Sequence, residues 1–155
     1  MKADEDHAQV RIPPPLLLIA CMLLGIGLHR LYPLHFLPRL PRWSLGVLLI
    51  GAGLGVSLYC VWMFRIAQTA LEPWEPTSHI VRTGPYRWTR NPIYLSFVLM
   101  GVGAACALDN LWIALMQIPL VVLITRWVIK KEEAYLEQKF GESYLAYKNH
   151  VRRWI

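Results

Sequence analysis

WSLGVLLIGAGLGVSLYCVWMF, residues 43–64, runs without a single charge. At about 1.5 Å per residue, a helix of this length matches the ~30 Å hydrocarbon core of a bilayer. The chain has 155 residues, 55% of them hydrophobic and 17% charged, a composition open to one globular domain or a small bundle of spans. The charge-free run decides for the bundle.

Working outward, residues 13–32 form a second span whose strictly apolar part is Leu16 to Leu28. Residues 92–108 and 111–129 form two more, joined only by Asp109-Asn110. So short a polar break predicts a tight antiparallel helical hairpin with its exposed backbone at a water interface. Three prolines before the first span suit a helix start, where a missing N–H costs nothing. The leader carries Asp4, Glu5 and Asp6 where a signal peptide would be basic, and no small-x-small site follows, so the first span is read as retained.

Four spans put the N-terminus, residues 65–91 and the C-terminal tail on one side. That side holds Lys2, Arg11, Arg65, Arg82, Arg87, Arg90, Lys130, Lys131, Lys139, Lys148, Arg152 and Arg153, against Arg30, Arg39 and Arg42 opposite. The imbalance predicts that both termini are cytoplasmic, and a bacterial inner membrane is the expected location. A net charge of +6 beside spans, without a nucleic-acid fold signature, points to anionic lipid headgroups and not to nucleic acid. Cys21, Cys60 and Cys106 all fall in apolar segments and lack metal-ligand spacing; neither disulfide nor metal is expected. Trp43, Trp62 and Trp127 read as interfacial belt residues. Gly46, Gly51, Gly53 and Gly55 read as small residues that let helices approach. The spans contain no Asp or Glu, which argues against an ion-coupled transporter.

Polar chemistry is gathered in two segments. In the tail, Leu136, Phe140, Tyr144, Tyr147, Val151 and Trp154 recur at steps of four and three, an apolar helical stripe that Gly141 is expected to break. Extended backwards, the stripe meets Glu132 and Glu133, so both carboxylates are predicted to face inward. The alternative is an acid pair balancing Lys130 and Lys131 on a solvated turn. In the loop, Thr83-Gly84-Pro85-Tyr86 signals a turn, and Asn91-Pro92 a helix start with Asn91 as cap. Arg87 and Arg90 are candidate anion clamps, and Tyr86 and Trp88 candidate flat surfaces. Taken singly, headgroup binding and an interfacial belt explain them as well.

HIVRTGPYRWTRNPIYLSFVLMGVG (79–103), followed by EEAYLEQKFGESYLAYKNHVRRWI (132–155), resembles the membrane methyltransferase superfamily of isoprenylcysteine carboxyl methyltransferases and phospholipid N-methyltransferases. The resemblance covers about residues 60–155. It implies S-adenosylmethionine as cofactor, bound between the 65–91 loop and the 130–155 helical segment. The cofactor residues it implies are His79, Gly84, Pro85, Tyr86, Arg87, Arg90, Asn91, Pro92, Tyr94, Gly101, Gly103, Glu132 and Glu133, with His79, Arg90, Asn91 and Glu132 nearest the chemistry. Many relatives carry His where this chain has Asn91, which cannot titrate near neutrality.

The residue chemistry stands beside that resemblance. An ammonium calls for an acid (Glu132 or Glu133), a carboxylate for Arg90, an adenine for an aromatic face; no G-x-G-x-x-G turn exists, so helix ends must build the pocket. His79 is either a base or an ordinary loop histidine, Tyr94 a ligand or a belt residue, and Gly101 and Gly103 serve either helix packing or cofactor approach. The expectation is an all-α integral membrane protein, one domain over 1–155, with four spans and a C-terminal amphipathic segment on the cytoplasmic side. Its expected activity is methyl transfer to a membrane-embedded lipid-like or prenylated acceptor, most like isoprenylcysteine carboxyl O-methylation. Phospholipid N-methylation and a non-catalytic scaffold of the same fold are the alternatives.

Overall fold

The computed structural model describes residues 7, 8, 10, 12–38, 41–71 and 75–155. Lys2, Arg11 and Arg39, which enter the charge count, and the acidic leader residues Asp4, Glu5 and Asp6 lie outside them. The architecture is all-helical: α1 (Pro14–Leu31), α2 (Arg42–Ile66), a 3₁₀ turn (Gly84–Arg87), α3 (Pro92–Leu108), α4 (Leu111–Leu115), α5 (Gln117–Ile124), a π-helical turn (Thr125–Ile129), α6 (Lys130–Phe140) and α7 (Glu142–His150). An isolated parallel bridge, Thr89 to Arg152, is the β pairing among the described residues.

The protein is an integral membrane protein. Among the described residues, three helices are long and apolar enough to cross a bilayer: Pro14–Leu31, Arg42–Ile66 and the continuous rod Leu111–Phe140. The expected third span, α3, has 17 residues, at the lower limit for crossing. The expected fourth span does not stop at residue 129. Its apolar part does, but the helix runs on through Lys130–Phe140 and carries the acid pair. A break at Met116 separates α4 from α5 because Pro119 has no N–H to donate to the Leu115 carbonyl.

α2 packs along α3, and α1 against α4 and α5. The α2–α3 approach is close because a Cβ on Gly46 would lie 2.7 Å from the Gly103 carbonyl oxygen, and one on Gly53 2.9 Å from that of Ser96. Gly51 and Gly55, expected to do the same work, meet nothing and face outward. At the α3–α4 hairpin, Asp109 takes the left-handed conformation (φ 48°, ψ 48°), which Asp tolerates with little strain. Its carboxylate accepts from Phe36 N and Leu37 N, both at 3.0 Å, and contacts His35 Nδ1 (3.1 Å) and Arg42 Nη1 (3.3 Å), tying the α1–α2 connection to the hairpin. Those backbone N–H donors hold the carboxyl below its usual range. The three cysteines are buried and unbridged. Trp43, Trp62 and Trp127 lie on the outer surface.

Candidate functional site

At the opposite end from Asp109, the start of α3, the end of α2, α6, α7 and the 67–91 loop line a cavity partly open to solvent. The loop is closed by side chains: Thr69 Oγ1 accepts from Ser78 N (3.0 Å) and His79 N (3.2 Å), and Ser78 Oγ donates to the Gln68 carbonyl. Thr77 N donates to Tyr135 Oη at 3.1 Å, fastening the loop to α6.

The GPYR stretch forms the expected turn, but as wall and not as clamp. Gly84 has φ +57°, and a Cβ there would meet Met63 Sδ at 2.8 Å, so the position calls for glycine on both conformation and space. The turn buries Tyr86, whose ring lies 5.6 Å from that of Phe64 and whose carbonyl accepts from Tyr147 Oη at 2.7 Å. Arg87 and Trp88 point out to solvent, Trp88 at 81% exposure.

Both acids face inward, with different partners. Glu133 Oε1 accepts from Arg90 Nη2 (2.8 Å) and Arg153 Nε (2.9 Å), and Oε2 from Arg153 Nη2 (2.7 Å). Burial pushes this carboxyl up, but the hydrogen bonds from Arg153 and Arg90 and their charges outweigh it, and the net shift is downward. Glu132 lies on the cavity wall; the surface it keeps faces the cavity, and its Oε1 accepts from Tyr94 Oη at 2.6 Å. Enclosure pushes the Glu132 carboxyl up to about 7; the Tyr94 hydrogen bond works against the shift and the charge of Glu133 adds to it.

Arg90 is nearly buried and heavily engaged. Besides Glu133, its Nη1 donates to the carbonyls of Lys148 (2.8 Å) and Val151 (2.6 Å), while its buried Nε has no hydrogen-bond partner among the described residues. Asn91 sits just before α3 as expected, yet its side chain does not cap the helix. Its Nδ2 donates instead to the Arg153 carbonyl at 2.9 Å, a structural bond that needs no titratable group.

The structure thus brings together, around one cavity, His79, Tyr86, Arg90, Asn91, Tyr94, Glu132 and Glu133. Gly84, Pro85, Arg87 and Pro92 shape or flank it without lining it. Gly101 and Gly103 lie along α3 in helix contacts: Gly101 faces the Gln117 side chain, and Gly103 faces Gly46 and Ile50 of α2. His79 is exposed at the mouth. Sequence reasoning missed Phe64, Tyr135 and the partnership of Arg153, and took Tyr144 and Tyr147 only as apolar stripe residues although both line the cavity. The stripe itself was the available signal: two tyrosines three apart on a buried helix face place hydroxyls inside.

The sequence model of the family described as phospholipid methyltransferase matches residues 41–143, which take in α2, the loop, α3 and α6. An uncharacterized protein of Haemophilus influenzae is 40% identical over 63 residues, 41% of this chain and the whole of that protein. The protein-S-isoprenylcysteine O-methyltransferase of Saccharomyces cerevisiae is 35% identical over 80 residues, 46% of this chain but only 30% of that enzyme. With a cavity built from the two segments that the family match joins, the chain belongs to the phospholipid methyltransferase family.

Proposed function

We propose that the chain is an S-adenosylmethionine-dependent methyltransferase acting at the membrane surface on a lipid-like acceptor that enters from the bilayer. The observation that carries this reading is the convergence of Arg90 and Tyr94 with Glu132 on one cavity, from segments about forty residues apart. The residues fit the cofactor: an enclosed carboxylate for an ammonium, a buried Arg90 Nε without a partner for a carboxylate, and the faces of Phe64 and Tyr86 for a base. When bound, S-adenosylmethionine supplies a methyl group on a positively charged sulfur.

The chain's own part is to hold and orient. Glu132, fixed by Tyr94, sets the end of the cavity that takes positive charge. The loop fastened through Thr77 and Tyr135 covers part of the cavity, and holding two reactants in line is the largest contribution available to such a site. The first reading of the acceptor is a carboxylate, which needs no base; the likeness to the yeast O-methyltransferase supports it. The second is a phospholipid amine, supported by the family match, for which His79 at the mouth or Glu132 takes the proton. The excess of Lys and Arg on the site side supports a cytoplasmic placement of that end.

Calorimetry with S-adenosylhomocysteine on the purified protein tests the reading. Binding that is lost on combining Glu132→Ala with Arg90→Ala is expected; wild-type protein that does not bind overturns it. Labelled cofactor with membrane extract then separates acceptors, since base releases volatile methanol from a methyl ester and not from an N-methyl product.

A further inference from the structure

The last residues of the chain are sewn to the loop that precedes α3. Arg90 N donates to the Arg152 carbonyl at 2.9 Å, and Thr89 Oγ1 and Asn91 Nδ2 both donate to that of Arg153, at 3.1 and 2.9 Å. Arg90 Nη1 takes the Val151 carbonyl at 2.6 Å. Three consecutive tail carbonyls are therefore held by one tripeptide, Thr89-Arg90-Asn91, and two of its residues line the cavity.

The side-chain partner of this strap is Glu133. Both of its oxygens are engaged, with Arg153 contributing two of the three hydrogen bonds and Arg90 the third. The carboxylate is 8% exposed, Arg90 9% and Arg153 35%. Removing Glu133 leaves two neighbouring guanidinium groups without their counter-charge, and removing either arginine strips hydrogen bonds from a buried carboxylate, so the three side chains are coupled. A carboxylate with both oxygens taken by guanidinium groups has little left to offer a ligand, whereas Glu132 next to it has a tyrosine hydroxyl as its hydrogen-bond partner.

We propose that Glu133 and Arg153 form a latch that pins the C-terminal strap to the cavity wall, making both positioning residues for Arg90 and Asn91, and leaving Glu132 as the carboxylate that meets ligand. The proposal rests on reading this cavity as the cofactor site. It divides the labour of two adjacent acids that look equivalent in the sequence.

The test compares the full-length wild type, Arg153→Ala, Glu133→Gln, their double variant and Glu132→Gln in detergent. One measurement is S-adenosylhomocysteine affinity by calorimetry; the other is hydrogen exchange at the Arg90 amide, which the strap carbonyl protects. Expected are roughly tenfold weaker binding and faster Arg90 exchange in both latch variants, with the double variant no worse than the poorer single one. Glu132→Gln should weaken binding while leaving Arg90 exchange as in wild type. Additive losses, or wild-type affinity and exchange in Arg153→Ala, overturn the latch. Should Glu133→Gln fail to fold, Arg153→Ala carries the test, because its side chain is the most exposed of the three. A wild type that does not bind counts against the cofactor reading alone; unchanged Arg90 exchange in Arg153→Ala still overturns the latch.

Discussion

Tyr94 Oη donates to Glu132 Oε1 at 2.6 Å, joining the first turn of α3 to α6 across the cavity wall. The setting of this pair makes the protein sensitive to pH in a defined window.

Glu132 has a folded-state pKa of about 7 against an ordinary 4.5. A raised carboxyl contributes stability that is fully present below about 4.5 and is lost as pH rises through about 7, on the order of 3 kcal/mol in total. Glu132→Gln should therefore melt at a higher temperature than wild type above pH 7 and show a flatter profile between pH 5 and 7. Binding of an ammonium-bearing ligand should run the other way, strengthening in wild type as pH rises through about 7 and staying flat in the variant.

Arg90→Ala removes three hydrogen bonds and leaves Glu133 with Arg153 as its remaining guanidinium partner. A loss of about 3 kcal/mol is expected, read as a lower melting temperature in detergent. Arg90→Lys should not restore it, since one ammonium cannot reproduce the fork that reaches two carbonyls and a carboxylate together.

The α2 glycines should divide by face. Gly46→Leu drives a side chain into Ala107 and the Gly103 carbonyl and should cost at least about 1–3 kcal/mol, whereas Gly51→Leu and Gly55→Leu, which meet open space, should leave the melting temperature near that of wild type. Equal losses at all three would show that α2 is rotated from the orientation described.

Asp109 should tolerate Asn far better than Ala. Asn keeps an acceptor for the Phe36 and Leu37 amides and is at home with φ 48°; Ala leaves both amides without that acceptor and strains the turn. Melting temperatures in the order wild type, Asn, Ala are expected, with S-adenosylhomocysteine affinity unchanged in Asp109→Asn because the hairpin lies at the far end from the cavity.

Much of this was readable from the sequence, for identifiable reasons. Apolar runs set the bounds of α1, α2 and α3 to within about two residues, because hydrocarbon length and backbone satisfaction leave few choices. Gly141 broke the tail helix where its missing side chain allowed φ +51°. The inward direction of Glu132 and Glu133 followed from helical periodicity, which is local. Their different partners did not, because the choice lies with Arg153, twenty residues on, and with a tail whose pairing to Thr89 has no periodic signal. For the same reason Asn91 was read as a cap: the rule for caps considers neighbours in sequence, and the competing acceptor was the Arg153 carbonyl. In α2, four glycines along one helix could not be sorted by face without knowing where α3 lies.

The π turn at Thr125–Ile129 sets the angular phase between the buried and the ligand-facing halves of one rod. Five residues wound i→i+5 sweep nearly the same angle as four wound at 3.6 per turn, so deleting a single residue there would restore ordinary α geometry while Glu132 kept its face toward Tyr94. A one-codon deletion at Lys131, where the winding is ordinary, has no such slack and would turn Glu132 by about 100° away from Tyr94.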